Sequence, residues 1–196
     1  MRVTLPKSWG EIPISSFPAL NDIVIDEDVD SLEKCCMVIS TLSGINFTDV
    51  QRLPFAELNK LIEQTAFVFK YAFPEKVEQF NYKGYTWKMN FDHSRITAAD
   101  FISFSKYSES INNITEMVAL FATPYKKKWF KLSKVDIEFK EKVLLLSEAP
   151  CSIMYPLSVF FCKVIKSSSE NIQTYLERKA VRTMWKMLRS PNTIST

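Results

Sequence analysis

A chain of 196 residues with 46% hydrophobic, 24% charged and 13% aromatic side chains can bury a substantial core, which excludes an intrinsically disordered protein. It holds 3 glycines where average usage would give roughly 14, and that scarcity argues against the glycine-clustered loops that cradle phosphates in familiar nucleotide-dependent enzymes. The net charge of +3 hides a bipolar distribution: residues 1–63 hold 10 acidic and 5 basic side chains, a balance of −5, whereas residues 122–196 hold 6 acidic and 14 basic, a balance of +8.

The opening Met1-Arg2-Val3-Thr4-Leu5-Pro6 lacks the apolar run of a signal peptide. Ser15 or Ser16 is placed to cap a first short helix that tolerates Pro18 in its opening turn and ends at the acidic cluster Asp26, Glu27, Asp28 and Asp30. A second helix is better marked. Asp30 and Glu33 have capping-box spacing, Leu32, Cys35, Cys36, Ile39 and Leu42 repeat at three and four, and Gly44 is placed to end it in a left-handed conformation. Pro54 starts a helix carrying Leu58, Leu61, Ile62 and Phe69 on one stripe as far as Pro74. At Val77 the period changes to two. Phe80, Tyr82, Tyr85, Trp87, Met89 and Phe91 alternate about Lys83-Gly84, which predicts a β-hairpin with aromatic cross-strand pairs.

Helical spacing then returns. Thr97 with Asp100, and Asn113 with Glu116, have capping-box spacing ahead of apolar runs, the second run closing at Pro124. Lys126 to Lys131 is expected as a loop, followed by a helix over residues 134–148 that Pro150 breaks. Met154 to Ile165 is hydrophobic nearly all round and is expected to be the central buried helix, and a last long helix ends near Arg189. The predicted fold is therefore mainly α: a helical bundle-like body with one β-hairpin around residues 77–91. It divides into an N-terminal helical unit (1–74), the hairpin (75–92) and a C-terminal helical unit (93–196) that can also close into one compact domain.

Catalytic and metal constellations do not emerge from this pattern. His93 is the one histidine and has no flanking nucleophile or orienting acid at recognisable spacing. Cys35 and Cys36 are adjacent, without the two-residue gap of a zinc knuckle, and Cys151 and Cys162 sit in an apolar stretch, so all four are read as reduced core residues in a cytoplasmic setting. The carboxylates from Asp26 to Asp30 lack the glycine and terminal glutamate of a calcium loop. The expectation is a protein that is not an enzyme, needs no cofactor and spans no membrane. Two basic surfaces are candidates for binding. One is Lys126, Lys127 and Lys128 with Trp129 and Phe130, where cations could meet phosphates and rings could stack. The other is the terminal helix, with Arg178, Arg182, Lys186 and Arg189 opposite an apolar side. A sequence pI of about 8.6 falls short of the value above 9 usual for a nucleic-acid-binding domain, so nucleic acid ranks below protein as the partner.

The segments TLPKSWGEIPISSF, CMVISTLSGINFTDVQRLPFAELNKLIEQTAFV, FNYKGYTWKMNFDHSRITAADFISFSKY and SIMYPLSVFFCKVIK resemble small virion or tail-assembly proteins of tailed phages infecting Bacteroidota, including the crAss-like group. The resemblance covers most of the chain and rests on a W-x-x-I opening, an I-T-A-x-x-F helix start and an apolar Phe-Phe helix, with no functional residue to carry over. It implies a virion protein made in the host cytoplasm: a structural component of neck, tail or packaged cargo that binds other phage structural proteins or copies of itself. The alternatives are a tail-assembly chaperone on a helical, tape-measure-like partner, and a nucleic-acid-binding module using the basic C-terminal region.

Overall fold

In the computed structural model, which describes residues 4–70, 77–90, 96–129 and 131–163, the chain is mainly α with a small antiparallel sheet. Residues up to Phe160 gather into one compact unit. Phe161–Thr196 belong to a second, of which residues 161–163 are described.

Local signals set most of the helices of the first unit. After a 3-10 turn at Ile14–Ser16, helix α1 runs Phe17–Ile25 with Pro18 in its first turn, although neither it nor the preceding turn has a side-chain cap. Helix α2, Ser31–Ser43, starts and ends where the sequence predicts. The Asp30 carboxylate accepts from the N–H groups of Leu32 at 3.1 Å and Glu33 at 3.4 Å, and Gly44 at φ 70° donates its N–H to the Ser40 carbonyl at 2.9 Å. Helix α3, Phe47–Gln51, is capped by Asn46, and α4, Phe55–Thr65, follows Pro54. The α4 stripe does not continue to Pro74. Ala66–Phe69 tightens into a 3-10 turn, which brings Thr65 and Val68 inside and leaves Phe69 37% exposed. Cys36, Ile39, Val50 and Leu58 close a core between α2, α3 and α4, flanked by Phe47, Leu61 and Ile62.

A pairing between distant segments organises the rest. The Ile14 N–H donates to Ala149 and the Cys151 N–H to Ile12, both at 2.8 Å, so the segment around Pro13 is bridged antiparallel to Pro150. Pro150 both stops helix α7, Phe139–Ser147, and opens helix α8, residues 151–163, whose first turns bury Cys151, Met154 and Leu157. Phe17, wholly buried, meets the rings of Tyr155 at 4.6 Å and Trp9 at 5.6 Å, which ties α1 to α8.

Between these lie α5, Ala98–Tyr107, and α6, Ile114–Phe121. Thr97 and Asp100 make the reciprocal capping box that their spacing predicts. Asn113 does not cap α6. Ser110 instead accepts from Asn112 and caps a 3-10 turn, Ile111–Asn113, that leads into the helix. The carbonyls at the end of α6 are met from α7: Lys142 donates to Ala119 at 3.1 Å and to Ala122 at 3.2 Å. Burial, reinforced by Lys134 and opposed by Asp136 and Asp100, holds the Lys142 pKa below the ordinary lysine range. Lys142→Met keeps the apolar stem but strands two part-buried carbonyls, and it should cost about 1–3 kcal/mol, read as a lower urea midpoint at unchanged slope. A change smaller than the error of that measurement would show that water replaces the ammonium.

Candidate functional site

Sheet residues first need their turns. Lys83 at φ 47° and Gly84 at φ 76° form a two-residue turn with positive φ at both positions, which suits the right-handed twist of the flanking strands β1, Gln79–Tyr82, and β2, Tyr85–Met89. The predicted aromatic pair is present: Phe80 is opposite Trp87, ring centres 6.3 Å apart and 13° from parallel, and the Trp87 indole N–H donates to the Tyr82 carbonyl at 3.2 Å. The sheet has four strands in the order β1-β2-β3-β4, all neighbours antiparallel.

The second pair of strands corrects two expectations. Lys126–Lys128 do not lie in a loop, and the helix expected from residue 134 begins at Phe139. Ala122–Lys128 is strand β3, continuing directly from α6, and Lys131–Lys134 is strand β4. Pro124 does not simply end a helix; it sits in a central strand opposite Trp87. It is tolerated there because its carbonyl, and with it its nitrogen, faces the β4 side, where the ladder has reached its last link, the Val135 N–H at 2.9 Å. Lys128 pairs with Lys131, and Trp129 lies in the turn between the two strands. Trp129 takes φ 55° and is 92% exposed. An indole in the left-handed region is strained by about 1 kcal/mol or more, so the turn holds a large apolar ring in solvent against local preference.

Alternation along the strands sorts the side chains onto two faces. Phe80, Trp87, Met89, Ala122 and Pro124 form the buried face. Lys126 shares that parity beyond the core, its ammonium 4.5 Å from the centre of the Tyr85 ring. The opposite face carries Gln79 and Asn81 from β1, Thr86 and Lys88 from β2, Thr123, Tyr125 and Lys127 from β3, and Leu132 and Lys134 from β4. It has three lysines and no carboxylate. Tyr125 is central: Lys134 lies opposite it, Lys127 two residues along, and the Lys88 ammonium 5.1 Å from its ring centre.

Of the residues singled out in the sequence, the structure brings Lys126, Lys127 and Trp129 onto one hairpin but sends the two lysines to opposite faces. Phe130, Arg178, Arg182, Lys186 and Arg189 lie outside the described residues, as do His93 and the Lys128 side chain. Tyr125, Lys88 and Lys134 join the surface unannounced. The signal that could have found them is the period-two run Thr123, Tyr125, Lys127, which the expectation of a loop obscured.

Burial raises the pKa of every cysteine, Cys151 to about 12, so all four are thiols rather than nucleophilic thiolates at neutral pH. Among the described residues no group of three or more His, Cys, Asp or Glu side chains could hold a metal ion, and no helix is long and apolar enough to cross a membrane. A cavity of about 360 Å³ between α1, α6 and α7 is lined by Ile14, Pro18, Ile114 and Val143 with Glu116 its one ionisable group. No family model, no curated protein and no solved structure matches the chain.

Proposed function

We propose that this chain is a non-enzymatic assembly protein, a structural component of a tailed-phage particle that works through protein–protein contact at the β3–β4 hairpin. The observation that carries the reading is Trp129, held in solvent at a left-handed turn position. Tryptophan is among the side chains most enriched at the few positions that carry most of an interface's binding energy once a partner covers them. The bipolar charge supports the same reading, since the acidic N-terminal third of one copy complements the basic C-terminal region of the next. The assignment to phage rests on the resemblance of the four sequence segments quoted above.

The test is mass spectrometry of purified particles produced from the encoding genome, with and without Trp129→Ser. The native chain should be present at fixed stoichiometry, and the variant depleted tenfold or more while its circular dichroism and melting temperature stay unchanged, because Trp129 contributes little to the fold. Particles that lack the native chain would overturn a structural role. Full incorporation of the variant would remove Trp129 as the contact.

A further inference from the structure

The assembly reading rests on Trp129 at the tip of the β3–β4 hairpin; the outward side of the sheet to which those two strands belong has a specific composition of its own. Lys88, Lys127 and Lys134 surround Tyr125, with Leu132 beside Lys127 and no acidic side chain on any outward position of the four strands. An all-cationic face whose charges have no partner within it attracts anions. The spacing narrows the kind of anion. Lys127 is two residues from Tyr125 on the same strand, about 7 Å, and Lys134 is on the neighbouring strand, about 5 Å away. Lys88 already rests its ammonium against the Tyr125 ring. Three cations therefore surround one π-face, at distances comparable with one nucleotide of an extended strand. A single-stranded nucleic acid offers a phosphate to the first and an unpaired base to the second. A duplex hides its bases from a flat platform, and an acidic peptide satisfies the lysines but leaves the ring without a stacking partner.

We propose that this face binds single-stranded nucleic acid without sequence preference, with Tyr125 stacking a base and Lys88, Lys127 and Lys134 meeting the phosphates. The neutral groups around them, Asn81 and Thr86, are joined to each other at 2.8 Å and leave the surface free of repulsive charge.

The experiment is fluorescence anisotropy of a labelled oligothymidylate with the full chain across a salt series. Combined Lys88→Gln, Lys127→Gln and Lys134→Gln should weaken binding at least tenfold at low salt and lower the slope of log affinity against log salt by about 2, since each phosphate contact on a single strand adds about 0.7. Tyr125→Leu should weaken binding about five- to tenfold at an unchanged slope, and Tyr125→Phe should restore it, because the ring and not the hydroxyl is used. Lys60→Gln, an exposed lysine of α4, should leave both quantities unaltered. The proposal is overturned if Lys60→Gln weakens binding as much as the sheet variants, if Tyr125→Leu binds like the native chain, or if a duplex of equal length binds as tightly. Displacement of the oligonucleotide by polyglutamate at equal charge concentration would assign the face to an acidic protein instead. Circular dichroism of each variant separates lost binding from lost fold. Particle incorporation is a different readout on a different residue, so either reading can fail alone.

Discussion

Trp87→Ala is expected to lower the unfolding free energy by about 3–5 kcal/mol, measured by urea titration, and the melting temperature by about 10 °C. The indole is fully buried at the centre of the sheet's inner face, between Phe80 on β1 and Pro124 on β3, with Tyr85 5.8 Å away on its own strand. Truncation removes three kinds of stabilisation at once: the transfer of a large apolar surface out of water, the near-parallel contact with Phe80, and the indole donor to the Tyr82 carbonyl. A two-stranded hairpin does not stand alone in water, so the loss spreads to β3 and β4, which the sheet joins to β1 through β2. Since domains are stable by only about 5–15 kcal/mol, the variant should approach the threshold of folding. Trp87→Phe keeps a ring in the site and should cost less than half as much. A loss below about 1 kcal/mol for the alanine variant would mean that this tryptophan does not organise the sheet.

How far the sequence reveals this architecture depends on the reach of each signal. Asp30, Gly44, Thr97 with Asp100, and Lys83-Gly84 act within four residues of themselves, and each produces in the structure the cap or turn that its chemistry requires. The β3–β4 hairpin has no such marker. Its turn contains Trp129 where a glycine or asparagine would announce positive φ, and Pro124 argues against a strand until the pairing direction on its two sides is known. The bridge of Pro13 to Pro150 and the hydrogen bonds flanking it join residues far apart in the chain, and no periodicity reports them. The same limit applied to the candidate surface. The basic-aromatic run stood out as composition, but which lysine faces which way follows from strand register, and register decided that Lys127 joins Lys88 and Lys134 whereas Lys126 turns toward Tyr85.

The second large effect is on alkaline stability and comes from Cys151. Its side chain is fully buried in the first turn of α8 beneath the Pro13 segment, with Sγ 3.4 Å from the Pro13 carbonyl oxygen, and burial pushes the thiol from 9.0 up to about 12 while its backbone hydrogen bond opposes the shift. The folded pKa lies above the unfolded one, so the unfolded chain loses its proton first. Stability from this group is therefore complete below pH 9 and is lost as the pH rises toward 12, by about 4 kcal/mol across the window. Tyr82 acts in the same direction: burial, and then Glu148, raise its pKa, and its hydroxyl donates to the Glu148 carbonyl at 2.7 Å. Cys151→Ala separates the two. It removes the thiol's titration without adding a charge, so its urea midpoint should fall less steeply between pH 9 and 12 than that of the native chain, even though the lost sulfur lowers its stability at pH 7. Below pH 9 a thiol reagent should modify Cys151 only at the rate of global unfolding, because a buried thiol offers no thiolate. Parallel pH profiles for the native and alanine chains would show that Cys151 ionises where it stands, and that the pairing of the Pro13 segment with α8 is looser than a wholly buried sulfur requires.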